Sequence, residues 1–120
     1  MSMVISYRLS NIIDRSQIED ISIRFKMTLA NAESLPELEQ LIDVEKFHVK
    51  LVVCDLPTMM EKDSDLRDLV SIIKRHNIKT LGKYPHVRGE IAKKAKSYGF
   101  DYVVPNSIIR IMLEKILREI

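Results

Sequence analysis

The stretch Val49-Lys50-Leu51-Val52-Val53-Cys54-Asp55-Leu56-Pro57 decides the fold. Five of its first six residues are apolar or Cys, and three are valine. A short β-branched run without alternation reads as a strand buried on both faces, at the centre of a parallel sheet. Pro57 forbids further ladder pairing, so the strand stops at Asp55. A carboxylate is thereby left at the carboxyl end of a central strand, where open α/β sheets place their sites.

Upstream, residues 3–9 read as a first strand. Ser10 is the expected cap of a first helix, with Ile12, Ile13, Ile18, Ile21 and Phe25 on one face. A weaker strand follows over residues 26–31. Ser34 and Glu37 form a capping box, and Pro36 suits the first turn of a second helix ending near Asp43. Downstream, residues 58–63 read as a loop, and Ser64 or Asp65 caps a third helix. That helix turns Leu66, Leu69, Val70, Ile72 and Ile73 inward and ends in Lys74, Arg75 and His76, cations that suit its dipole. Residues 78–83 form a fourth strand and residues 88–98 a fourth helix, with Gly99 as its left-handed terminator. A fifth strand covers Phe100 to Val104. Pro105 and Asn106 turn the chain, Ser107 caps, and a last helix runs to Ile120 with Ile109, Met112, Leu113, Ile116 and Leu117 at the helical period.

This is βα five times over: an α/β protein with a five-stranded parallel sheet, right-handed crossovers and helices on both faces. The expected strand order is 2-1-3-4-5, with the switch point between the first and third strands. A length of 120 residues fits a single domain spanning 1–120. Nineteen basic against seventeen acidic residues is too balanced to argue for nucleic acid. No apolar run approaches the roughly 18 residues of a membrane span. The amino terminus lacks a charged region followed by an apolar one, so a cytoplasmic location is the expectation. Cys54 cannot form an internal disulfide and reads as a small buried hydrophobe.

Two stretches carry a resemblance. They are Leu51-Val-Val-Cys-Asp55-Leu-Pro57 and Ala95-Lys-Ser-Tyr-Gly99-Phe-Asp-Tyr-Val-Val104. In their order and spacing the chain resembles the receiver (flavodoxin-like) domains of two-component response regulators. The stretch Gly82-Lys-Tyr-Pro-His86-Val is similar to a turn found in a small group of stand-alone receiver-like proteins. The resemblance implies that Asp55 occupies the phosphoacceptor position.

The departures are as informative. Receivers carry an acidic pair at the end of the first strand to hold magnesium, whereas this chain reads Ile5-Ser-Tyr-Arg8-Leu-Ser10, with no carboxylate before Asp14. Receivers place Ser or Thr at the end of the fourth strand and Lys-Pro after the fifth. Here those regions read Lys83-Tyr84 and Pro105-Asn106. Without a metal to neutralise phosphoryl oxygens, transfer to Asp55 should be slow. The description that follows is a degenerate receiver.

The strand ends bring Arg8, Ser10, Asp55, Lys83, His86 and Asn106 towards one crevice. Three readings stand. The group is a solvated rim with Asp55 paired to Lys83 or Arg8, or an anion or nucleotide pocket, or a phosphoacceptor site at Asp55, the one case that needs magnesium. One His and one Asp do not make a zinc site, and no nucleophile, base and orienting group form a set, so no enzyme and no resident cofactor are expected. The basic helix 88–98, with Arg88, Lys93, Lys94 and Lys96, is a solvated face or a weak contact for nucleic acid or an acidic partner, and no interleaved aromatics support base stacking. The sequence points to a signalling module that acts through a protein partner. Ile108 and Ile111 broaden the apolar stripe of the last helix beyond what covering a sheet requires. This is the motive for expecting a homodimer through the fourth helix, fifth strand and last helix.

Overall fold

The computed structural model describes residues 2–9, 11–45, 48–61 and 63–120. Five parallel strands form one sheet: β1 (Met3–Tyr7), β2 (Thr28–Ala32), β3 (Val49–Asp55), β4 (Lys79–Tyr84) and β5 (Tyr102–Pro105). Their order is β2-β1-β3-β4-β5, with β3 central as its apolar run Leu51–Cys54 requires. The helices are α1 (Ile12–Arg24), α2 (Leu35–Glu45), α3 (Leu56–Met59), α4 (Asp63–Arg75), α5 (Gly89–Tyr98) and α6 (Ile109–Glu119). A 3-10 turn, Asn106–Ile108, leads into α6.

Side chains on alternate strand positions feed two cores. One packs Val52, Cys54 and Ile5 against α2, α3, α4 and α5 through Leu38, Leu56, Leu69 and Ala95. The other packs Val4, Leu51, Val53 and Leu81 against α1 and α6 through Ile18, Ile21, Leu113 and Leu117. Each fully buried Leu or Ile contributes about 1.5–3 kcal/mol by leaving water. Among the described residues no helix is long and apolar enough to cross a membrane.

Several boundaries differ from expectation, each for a local reason. β1 ends at Tyr7 because Arg8 adopts φ 54°, a left-handed backbone that cannot continue a strand. Lys26, at φ 58°, belongs to a turn, so β2 begins at Thr28 in register with Met3. Phe100 and Asp101 lie before β5, because the Asp101 carboxylate is used as a staple. Its Oδ2 accepts from the Thr80 backbone N–H at 2.9 Å and from Thr80 Oγ1 at 3.1 Å. The Asp101 N–H donates back to Thr80 Oγ1 at 3.0 Å. The segment after Asp55 is not all loop. Pro57 does end the ladder, but its fixed φ also suits a first helical turn, and α3 forms there.

Capping departs from expectation in three places. α4 begins at Asp63, so Ser64 and Asp65 lie within its first turn and are not its cap. Ser10 lies outside the described residues; the cap of α1 is Asn11, whose Oδ1 accepts from the Ile13 N–H at 2.9 Å. Ser107 lies in the 3-10 turn, and the cap position of α6 is Ile108, without a side-chain hydrogen bond. The capping box at Ser34 forms in modified fashion: Ser34 Oγ accepts from Glu37 N–H at 3.3 Å, while the Glu37 carboxylate reaches back to the Glu33 N–H at 2.9 Å. Gly99 terminates α5 at φ 101°, as expected. On α1 only Ile18 and Ile21 are core residues, with Phe25 half-buried; Ile12 and Ile13 face solvent, because their helical angle points away from the sheet.

Candidate functional site: a lysine between two carboxylates

Parallel pairing sets the site. Asp55 is the last residue of β3, and the register places it beside Lys83 on β4. Lys83 is only 4% exposed, an unusual state for an ammonium. Its Nζ lies 3.1 Å from Asp55 Oδ1 and 2.9 Å from Asp14 Oδ2. It also donates to Asn106 Oδ1 at 3.4 Å. The other Asp55 oxygen accepts from Thr58 Oγ1 at 2.8 Å, a bond made possible by the first turn of α3. Leu9, Asn11, Asp14, Asp55, Lys83 and Asn106 line a cleft of about 230 Å³ over this cluster.

The electrostatics follow from the geometry. Burial acts against the charge on Lys83, but the hydrogen bond to Asp14, with the charge and hydrogen bond of Asp55, outweighs it. The ammonium is therefore held above its ordinary range. Next to it, burial pushes the Cys54 thiol far up, with the Asp55 charge adding and Lys83 opposing. Cys54 is an inert core residue.

Of the six crevice residues expected from the sequence, the structure brings together Asp55, Lys83 and Asn106. Arg8 is directed elsewhere: its left-handed backbone turns the side chain to α4, where Nη1 lies 3.6 Å from Asp65 Oδ2. His86 is exposed in the turn between β4 and α5 and does not line the cleft. Ser10 is outside the described residues. Arg8, Lys83 and His86 therefore do not converge as an anion pocket would need, and the cleft holds two carboxylates against one ammonium. Asp14 is the residue that sequence reasoning missed. Its signal was available: it is the first carboxylate after β1 and lies in the first turn of α1, which begins at the same rim of the sheet as Asp55.

Comparison with known proteins gives the same architecture. No protein-family model and no curated protein sequence matches the chain. Solved structures do. A CheY-like protein (TadZ) from Pseudomonas aeruginosa superposes with a TM-score of 0.81 at 14% identity, covering 99% of this chain and 98% of that one. An orphan response regulator of H. pylori gives 0.69 at 20% identity over 96% and 93% of the two chains. A protein described as an atypical orphan response regulator with a phosphorylation-independent regulatory mechanism gives 0.70 at 20% identity over 97% and 95%. With its strand order, its helices on both faces and these neighbours, the chain has the fold of a response-regulator receiver domain.

Proposed function

We propose that this receiver-fold protein signals by contact with a partner protein and without phosphoryl transfer. The observation that carries the reading is the buried Lys83 ammonium, 2.9 Å from Asp14 and 3.1 Å from Asp55. Phosphorylation of a carboxylate needs a divalent cation to neutralise the phosphoryl oxygens. The two carboxylates that could hold such a cation already share a tethered monovalent one. Both Asp55 oxygens are also engaged, one by Lys83 and one by Thr58. In this reading Lys83 locks the site in one charge state, and function passes to the surface. The crest of α6 supplies that surface, with Ile108 41% and Ile111 70% exposed. The neighbour described as working independently of phosphorylation is a precedent for the fold being used this way.

The test is incubation with acetyl phosphate and magnesium, followed by intact-mass spectrometry. No phosphoryl adduct is expected. An adduct on the wild-type chain that disappears in Asp55→Asn would overturn the reading in favour of a phosphoacceptor regulator.

A further inference from the structure

Charge is divided between the two edges of the sheet. At the β2 edge, residues 28–45 carry five acids and no Lys, Arg or His. None of these acids forms an ion pair with another described residue. At the β5 edge, residues 88–119 carry seven Lys and Arg against four acids. Three of those acids are already engaged within the chain. Glu90 meets Arg88 at 3.1 Å, Asp101 meets Lys79 at 4.0 Å, and Glu114 meets Arg118 at 2.9 Å. Lys93, Lys96, Arg110 and Lys115 have no acidic partner among the described residues.

Shape follows the same division. The acidic edge has a groove of about 320 Å³, with Met3, Leu41 and Val44 as its apolar lining and Glu37 and Glu45 on its rim. Val44 is 72% exposed there. The basic side carries an apolar knob, Ile111, at the lip of a cleft of about 400 Å³ between α1 and α6 that Arg24, Arg110 and Glu114 also line. Ile111 stands on the side of α6 opposite Leu113 and Leu117, next to Arg110 and one turn from Lys115. An apolar groove with an acidic rim and an apolar knob with basic neighbours are complementary.

We infer that the partner is a second copy of this chain, docked head to tail, with Ile111 of one copy in the Met3–Leu41–Val44 groove of the next. Arg110 and Lys115 then face Glu37 and Glu45. The inference rests on the reading of the chain as a contact module and names its partner. A two-fold pairing through α6 would leave the Met3–Leu41–Val44 groove and its acidic rim uncovered. The head-to-tail contact covers both. Because the two surfaces differ and lie on helices that cover opposite faces of the sheet, a bound pair keeps one groove and one knob free. Such a heterologous contact grows into a ring or a filament and does not stop at a dimer.

Sedimentation velocity on the full chain tests this. At low salt the mass should rise with concentration beyond twice the 13.9 kDa of one chain, and added salt should reverse the rise. Ile111→Glu and Val44→Lys alter exposed positions, and circular dichroism checks that both fold. Each alone should abolish growth. Mixed in equal amounts they should form a complex of one copy of each, since one keeps its groove and the other its knob. A wild-type chain that stays monomeric, or stops at a dimer, overturns the inference. So does a mixture that stays monomeric, or a Val44→Lys chain that associates as the wild type does. The acetyl phosphate experiment is independent of all these outcomes.

Discussion

Lys83 and Asp14 meet at 2.9 Å, although one lies near the end of the fourth strand and the other in the first turn of the first helix. The contact ties α1 to β4 across β1 and β3, and it carries the charge balance of the site. Lys83→Met keeps the buried stem and removes the ammonium. Asp14 and Asp55, each about a quarter exposed, are left facing one another without a cation. Removing one partner from a fully buried pair costs about 3–5 kcal/mol. Partial solvation of the two acids lowers the expected loss to about 2–3 kcal/mol in urea unfolding. Adding Asp14→Asn to Lys83→Met should recover part of it, because one of the like charges is gone. A loss too small to measure would show that the cluster does not hold the fold.

Stability should fall on the alkaline side. The Cys54 thiol is raised by burial, so the folded chain keeps a proton that the unfolded chain releases from about pH 9.0 upward. The unfolded state then binds fewer protons, and stability declines with pH. Lys83 acts in the same direction. Its contribution is fully present below its unfolded value of 10.5 and is lost as pH rises through the higher folded value. Tyr7, raised mainly by burial, adds to the trend above 10.0. Each group contributes a slope of about 1.4 kcal/mol per pH unit while it titrates. Melting temperatures measured from pH 7 to 11 should start to fall near pH 9, and Cys54→Ala should move that onset upward.

Gly82 is required by packing. A Cβ placed there would stand 2.6–2.8 Å from three side-chain carbons of Leu56, which is fully buried and has no room to retreat. Gly82→Ala should cost about 1–3 kcal/mol through overpacking. Leu56→Ala in the same chain frees the space, so the two losses should be less than additive in a double-mutant cycle.

Asp101→Ala should detach β5 from β4 at its start. Three hydrogen bonds join Asp101 and Thr80, and the substitution leaves the buried Thr80 N–H without its carboxylate acceptor. A loss of about 2–3 kcal/mol is expected. Hydrogen exchange should speed up most in β5, the edge strand, and an unchanged rate there would refute the staple.

Much of the architecture was legible in the sequence because it depends on patterns local to each element. The apolar run Val49–Cys54 demanded a central strand, and the alternation of strand and helix demanded parallel crossovers. Leu66, Leu69, Val70, Ile72 and Ile73 all became core, as their helical spacing required. Gly99 ended its helix in the left-handed region. The position of Asp55 at the rim also followed, because Pro57 ends the strand there. What only the tertiary structure decided were the contacts between distant side chains and the directions of residues at turns. Nothing in the spacing of Asp14 and Lys83 brings them together; the order of the strands and the start of α1 at the same rim do. Arg8 left the crevice because one left-handed residue redirected its side chain, whereas the exposure of Ile12 and Ile13 was legible in the sequence, since the 3.6 period sets them on another side of α1 from Ile18 and Ile21. Residue types and their periods determine which elements form and which faces are buried. Register, helix rotation and turn conformation determine which charges meet, and in this protein they put a lysine between the two aspartates.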